Sequence, residues 1–204
     1  MQNKTSVVTH LLVKVERSAP LVPVESFGFS TAGIEGGVVA NSIRQVLILQ
    51  ADTLERFDLQ PGDIRENVIV DTDELYDLPS GTVVKIGDAE IRLTYHCEPC
   101  GRVSPFVKPK DIMHKRGYLG LFLNEGTMRV GDVFTVLDQR FEEIPYELPE
   151  RIAWFLDKYP NQTVTSKELL DGLGLSISYA RALPALLRRV PEHYRAQVKF
   201  ISKR

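Results

Sequence analysis

Thr82-Val83-Val84-Lys85-Ile86-Gly87-Asp88-Ala89-Glu90-Ile91-Arg92-Leu93-Thr94-Tyr95 is the stretch that decides the fold class. Two runs rich in β-branched and apolar residues flank Gly87-Asp88, and a two-residue connection of this kind predicts a tight β-hairpin. In the second run Ala89, Ile91, Leu93 and Tyr95 alternate with Glu90, Arg92 and Thr94, the period of a half-buried strand. The chain then enters His96-Cys97-Glu98-Pro99-Cys100-Gly101-Arg102. Pro99 cannot donate to a ladder and Gly101 relaxes the backbone, so the strand should end there in a loop.

Both cysteines of the chain sit at this exit. A thiol beside Arg102 suits three roles: thiolate nucleophile, soft metal ligand or sulfur carrier. A free cysteine is also commonly a small buried hydrophobe. A zinc site would need His96 and His114 to complete the pair, because there is no second Cys-x-x-Cys. A dithiol redox motif would want the pair opening a helix rather than following a strand.

Working outward, Ser6–Glu16, Leu21–Val24, Arg44–Leu49, Glu66–Val70, Tyr118–Leu123, Thr127–Val130 and Val133–Leu137 read as further short strands. They are separated by turn chemistry such as Pro61-Gly62 and Gly131-Asp132, with a short helix over Ala51–Phe57. Ser30–Gly37 reads as a glycine-rich loop without nucleotide-binding spacing. Asp71–Asp77 is an acidic loop, and Lys108, Lys110, Lys115 and Arg116 make a basic one. Many short strands with regular turns predict an antiparallel barrel or sandwich over residues 1–137.

Residues 138–149 carry three glutamates and two prolines and read as a linker. Beyond it, over 150–204, the apolar period changes from two to three or four. Glu150–Lys158 should be helical, and Thr165-x-x-Glu168 is a capping box opening a second helix. Tyr179–Val190 reads as a third helix with Leu183, Leu186, Leu187 and Val190 on one stripe. Val198–Ile201 is a candidate closing strand. Three helices and a wing predict a winged-helix-like domain.

Hydrophobic residues make up 43% of the 204 and charged ones 25%, as in an ordinary globular protein. The start of the chain lacks a signal-peptide pattern and no apolar run is long enough to span a bilayer, so we expect a cytoplasmic protein with reduced thiols and no membrane partner. The net charge of −2 hides an asymmetry: residues 1–150 carry −8 and residues 151–204 carry +6. That split predicts two units with different partners.

Several short pieces recur in a known order: Gly33-Ile34-Glu35-Gly36, Arg44-Gln45-Val46-Leu47, Leu59-x-Pro61-Gly62, Glu66-Asn67-Val68, Leu78-Pro79-x-Gly81, Ile86-Gly87-x-Ala89, Pro99-Cys100, Gly120, and Gly126 with Val130-Gly131-Asp132. Together they make residues from about 20 to 137 resemble a MOSC domain, the module at the C-terminus of molybdenum cofactor sulfurases and in stand-alone bacterial proteins. The resemblance implies a mainly β, barrel-like fold and identifies Cys100 as the family's cysteine, which carries sulfur or ligates molybdenum; Cys97 has no counterpart. It implies the molybdenum cofactor (molybdopterin) as ligand, a sulfur-donor protein as partner, and no pyridoxal phosphate. Arg44, Arg102, Lys108 and Arg116 are then candidates to meet the pterin's phosphate, with Glu66 and Asn67 as hydrogen-bonding neighbours. Where the family continues its glycine loop with Gly-Asp-x-His, this chain has Gly36-Gly37-Val38-Val39.

The tail, with Arg181-Ala182-Leu183-Pro184-Ala185-Leu186 and Val190-Pro191, resembles the winged-helix part of alkylguanine-DNA alkyltransferases, without that family's Pro-Cys-His-Arg active site. This implies contact with double-stranded DNA, Arg181 being the matching arginine, and Arg188 and Arg189, which lie with it away from the apolar stripe, are candidates to meet phosphates. The alternative to a cofactor or sulfur role is thus a non-catalytic sensor or regulator that binds DNA.

Overall fold

The computed structural model describes residues 5–16, 19–38 and 41–200. By its internal contacts the chain divides into two compact units, Met1–Val39 with Arg44–Glu143, and Ala40–Ile43 with Ile144–Arg204.

Among the described residues the first unit has eleven strands: β1 (Val7–Val13), β2 (Val22–Val24), β3 (Ser26–Ser30), β4 (Gly33–Ile34), β5 (Val46–Gln50), β6 (Val68–Asp71), β7 (Thr82–Ile86), β8 (Ala89–His96), β9 (Tyr118–Phe122), β10 (Gly126–Arg129) and β11 (Phe134–Arg140). One helix, α1 (Asp52–Phe57), lies between β5 and β6. The main sheet has the order β11-β7-β8-β9-β5-β6-β1-β2, and β10-β3-β4 form a smaller one. Within the main sheet, among the described residues, only β5 and β6 run parallel, which is why a crossover containing α1 joins them.

The main sheet curls back on itself. Val7 bridges Val133, and Ser6 O, Val8 N and Val8 O exchange hydrogen bonds of 2.8–2.9 Å with Phe134 N, Asp132 O and Gly131 N, so the run into β11 at one end of the sheet meets β1 near the other. Such closure removes exposed edges and encloses one core. Leu11, Ile48, Leu49, Ile69, Ile91 and Phe122 lie there with 2% exposure or less. The hairpin forms as its alternation predicts, Ile86 opposite Ala89 and Val83 opposite Arg92. Gly87 adopts φ +57° at the turn, and a Cβ on it would come within 2.3 Å of Asp132 Oδ2.

The second unit holds α2 (Leu148–Leu156), β12 (Val164–Thr165), α3 (Ser166–Gly172), α4 (Leu183–Leu187), α5 (Glu192–Ala196) and β13 (Val198–Lys199). The capping box is formed: Glu168 N donates to Thr165 Oγ1, and Thr165 N donates to Glu168 Oε2 at 2.8 Å. Ile152, Leu156, Leu169, Leu170, Leu183 and Leu187 make its core.

Several details differ from the sequence reading. Part of the expected glycine loop pairs as β4 with β3, because two residues are too few to show a period. The expected linker is trimmed at both ends, since Asp138–Arg140 finish β11 and Leu148-Pro149 open α2, where a proline without an N–H is tolerated. The single helix over Tyr179–Val190 is not formed. A 3₁₀ turn covers Ile177–Arg181, and α4 then starts afresh with Pro184 in its first turn. Pro184 there would clash with the preceding turn of a continuous helix. β13 pairs parallel with β12, while Ile201 of the expected closing strand, like Val39 of the glycine motif, lies outside the described residues. No helix among the described residues is long and apolar enough to cross a membrane.

Candidate functional site

The cysteines are positioned by the seam between β8 and β9. The register slips between Leu93 and His96, and the pairing ends with Cys97 N donating to Gly117 O at 2.9 Å. A bulge of this kind bends the strand and re-aims the residues after it. Gly117 has φ +105°, and a Cβ on it would stand 2.7 Å from Ile48 O, so only glycine brings the returning chain close enough to receive that bond. Tyr76 Oη donates to Lys115 O at 2.9 Å and holds the same corner from below. Arg116, between these two anchors, is thereby aimed back at the cysteine loop.

Cys97 is buried, at 1% exposure. Arg116 Nη1 lies 3.0 Å from its sulfur and also donates to Glu98 O; Arg44 Nη2 lies 3.8 Å from the same sulfur. Burial pushes the Cys97 thiol up, and the two guanidiniums, acting against burial, do not fully offset it. Cys100, three residues on, is partly exposed and heads a turn in which Val103 N donates to Cys100 O at 3.0 Å.

To Arg102 and Arg116, already candidates from the sequence, the fold adds two cations that the sequence did not connect with them, Lys14 and Arg65. Lys14, just past the end of β1, and Arg65, before the start of β6, stand within electrostatic reach of each other, and like charges repel. Burial lowers the Arg65 guanidinium below its ordinary value, and Arg102 and Arg116 lower it further, while Cys100 acts in the opposite sense. Lys14 is lowered by burial and then by Arg65 and Arg102. Arg65 is thus repelled by Lys14, Arg102 and Arg116, Lys14 is also repelled by Arg102, and Cys100 acts on Arg65. Arg65 itself sits at φ +70°, a conformation few non-glycine residues adopt.

The other sequence candidates separate. Glu66 is fully buried; its Oε1 accepts from Gly62 N at 2.6 Å and its Oε2 has no hydrogen-bond partner. Burial raises its carboxyl to about 7. Asn67 stitches strands together: Leu47 N donates to its Oδ1 at 3.0 Å and its Nδ2 donates to Leu12 O at 3.2 Å. Lys108 is exposed on the loop. Arg181, Arg188 and Arg189 are exposed in the second unit. His96 packs its ring 4.3 Å from Tyr118 and 5.6 Å from His114, and burial, then His114 and Lys115, lower it to about 4, so it is neutral near pH 7. Among the described residues no three His, Cys, Asp or Glu side chains converge as a metal site, so His96 and His114 do not complete a zinc site with the cysteines.

Compared with protein-family models, residues 38–139 match the MOSC domain, half of the chain. The protein belongs to the MOSC domain family. None of the curated proteins matches it. Two solved structures share the MOSC chain's fold at 16% identity: the YuaD protein from Bacillus subtilis, with a TM-score of 0.57 over 68% of this chain and 98% of that one, and YiiM from Geobacillus stearothermophilus, with a TM-score of 0.55 over 89% of this chain and 99% of that one. At that identity the likeness concerns the fold alone. In this MOSC chain the signal that found the cysteines was a strand ending in Cys-x-x-Cys. Lys14 and Arg65 carried no such signal, because they lie about fifty residues apart in the sequence and only folding brings them within each other's reach.

Proposed function

We propose that the MOSC unit binds the pterin molybdenum cofactor, or a sulfur species destined for it, with Cys100 as the sulfur-bearing thiol. The observation that carries this reading is that Arg65 lies within electrostatic reach of Lys14, Arg102, Arg116 and the partly exposed Cys100. Cations held together against their own repulsion favour an anion, and a phosphate accepts bidentate bonds from guanidinium. A thiolate is the soft ligand that molybdenum and sulfane sulfur both accept. The residues present therefore fit the cofactor: Cys100 for its metal, Arg65, Arg102 and Lys14 for its phosphate, and Arg116 and Arg44 behind them on Cys97. When bound, the group would supply two-electron chemistry at its metal; the chain's own part is to hold the anion, present the outer thiol and keep Cys97 dry.

The test compares the full chain purified from a host that makes the cofactor with the same chain from a host that cannot. The reading expects molybdenum and pterin in the first only. Equal, negligible molybdenum and no sulfane sulfur in both would refute it.

A second reading, contact with double-stranded DNA by residues 150–204, is favoured by the exposure of Arg181, Arg188 and Arg189 and by the +6 charge of residues 151–204. The five-residue α4 offers a much shorter reading surface than the twelve-residue helix expected, so phosphate rather than base contact is the form this reading takes. Binding of the full chain to duplex DNA would then weaken steeply with salt, and Arg188→Gln would lower the log–log slope by about one. No binding near 50 mM salt would remove it.

A further inference from the structure

Arg65 holds a backbone conformation that few side chains adopt, φ +70°, just before β6. A strained residue persists only where its neighbours over-determine it, and such strain gathers at ligand sites. We propose that Glu66 is a positioning residue for Arg65, its carboxyl fixing the turn that presents the Arg65 guanidinium to the anion bound beside Cys100. The inference deepens the cofactor reading and rests on it for that anion.

Leu59 and Ile64 are buried pegs, and between them residues 60–63 close on themselves, Asp63 N donating to Gln60 O at 3.1 Å and Gln60 N to Asp63 Oδ2 at 2.8 Å. Within this turn Gly62 takes φ +97°, and a Cβ there would lie 3.2 Å from Leu12 Cδ2. Both of its backbone groups are engaged: its O accepts from Arg65 N at 3.1 Å, and its N donates to Glu66 Oε1 at 2.6 Å. Gly62 thus ties the backbone of Arg65 to the side chain of Glu66. On the other side Asn67 N donates to Leu47 O at 2.8 Å, and the Asn67 amide spans β1 and β5. Arg65 lies between these two fastenings, which hold it in the left-handed region.

Glu66 is 0% exposed, so its carboxyl cannot meet a ligand directly and acts through Arg65. Burying it is costly, the more so because Oε2 has no hydrogen-bond partner. A position that served packing alone would hold an apolar side chain at less cost. What an apolar side chain lacks is the acceptor for Gly62 N, and that bond is the carboxyl's contribution.

The experiment uses the full chain, with inorganic phosphate as the probe. Glu66→Met keeps the volume and removes the acceptor, Glu66→Gln keeps an acceptor for Gly62 N, and Arg65→Gln removes the cation. Without phosphate, amide hydrogen exchange reads the turn: Glu66→Met should lose protection at Gly62 and Arg65, and Glu66→Gln should keep it. The wild-type Gly62 amide shift should also titrate with the carboxyl, and that titration should vanish in Glu66→Gln. Phosphate affinity, read from the amide shifts of Gly101 and Arg102, should fall about tenfold in Glu66→Met and as much in Arg65→Gln, the equivalent of one hydrogen bond to a charged group. Glu66→Gln should bind phosphate as the wild type does. Adding Glu66→Met to Arg65→Gln should cost nothing more, since Glu66 acts only through the guanidinium. Full additivity of those two substitutions would overturn the proposal, because a merely structural effect does not need Arg65. So would unchanged exchange at Gly62 and Arg65 in Glu66→Met, or a Gly62 shift whose titration survives in Glu66→Gln. If the exchange and titration results hold while no chain binds phosphate, the cofactor reading loses its anion and the fixing of the Arg65 turn by Glu66 stands.

Discussion

Glu66 shows how a single buried group sets a measurable property. Its carboxyl, with one oxygen on Gly62 N and the other unpartnered, is raised from 4.5 to about 7 because burial disfavours the charge. In the unfolded chain it ionises near 4.5, so between about pH 4.5 and 7 the folded state holds a proton that the unfolded state has released. Folding stability attributable to this residue is greatest below that window and declines as pH rises through it. A shift of that size corresponds to about 3 kcal/mol as an upper figure. We predict that urea unfolding of the wild type loses stability relative to Glu66→Gln between pH 4.5 and 8; parallel curves for the two chains would contradict the burial account. The same residue marks a limit of sequence reading. Its place in Glu66-Asn67-Val68 pointed to the site, yet only the packed structure separates a buried carboxyl from Asn67, whose amide is taken up by β1 and β5.

At the scale of elements, the hairpin of β7 and β8 was legible because alternation and a Gly-Asp turn specify one register. The third helix of the tail was not. The stripe Leu183, Leu187 and Val190 is indeed buried, but a stripe reports which side chains face a core and not whether the backbone between them is continuous. Pro184 interrupted it. Arg151 was equally hidden from sequence, since its position on α2 gives no sign that it is 0% exposed and donates to Pro145 O at 2.7 Å, to Leu173 O at 3.3 Å and to Tyr146 O. Its guanidinium ties the entry of α2 to the end of α3. Arg151→Met keeps the volume and leaves those carbonyls unsatisfied, so the second unit should lose about 3 kcal/mol or more. Calorimetry or hydrogen exchange of the full chain measures this; an unchanged unit would mean that the contacts are dispensable.

For the whole molecule, the composition shift and proline-rich segment raised the prospect of two separable parts, and we propose that the exposed stretch between β11 and α2 is where they part. Phe141–Glu143 are exposed beyond the end of β11, and exposed backbone outside the strands is where proteases act first. Limited proteolysis should cut within 141–147 before any site in the barrel; early cuts inside β5–β9 would contradict the division. The second unit also claims Ala40–Ile43, where Asn41 Nδ2 donates to Asp171 O at 2.7 Å and to Asp171 Oδ1 at 2.9 Å. No sequence period announces such a pairing across 130 residues. The same holds for the cations Lys14, Arg65, Arg102 and Arg116, which come from the residue after β1, the run before β6, and the loop after β8. What sequence supplied was the thiol; what folding adds is its electrostatic setting. The central claim is that Cys100, and not Cys97, is the sulfur centre of this MOSC chain. Its most direct test is the molybdenum and sulfane sulfur retained per mole by Cys97→Ser and Cys100→Ser, each purified as the full chain from a cofactor-making host. The account predicts retention in Cys97→Ser and loss in Cys100→Ser; retention in Cys100→Ser with loss in Cys97→Ser would contradict it.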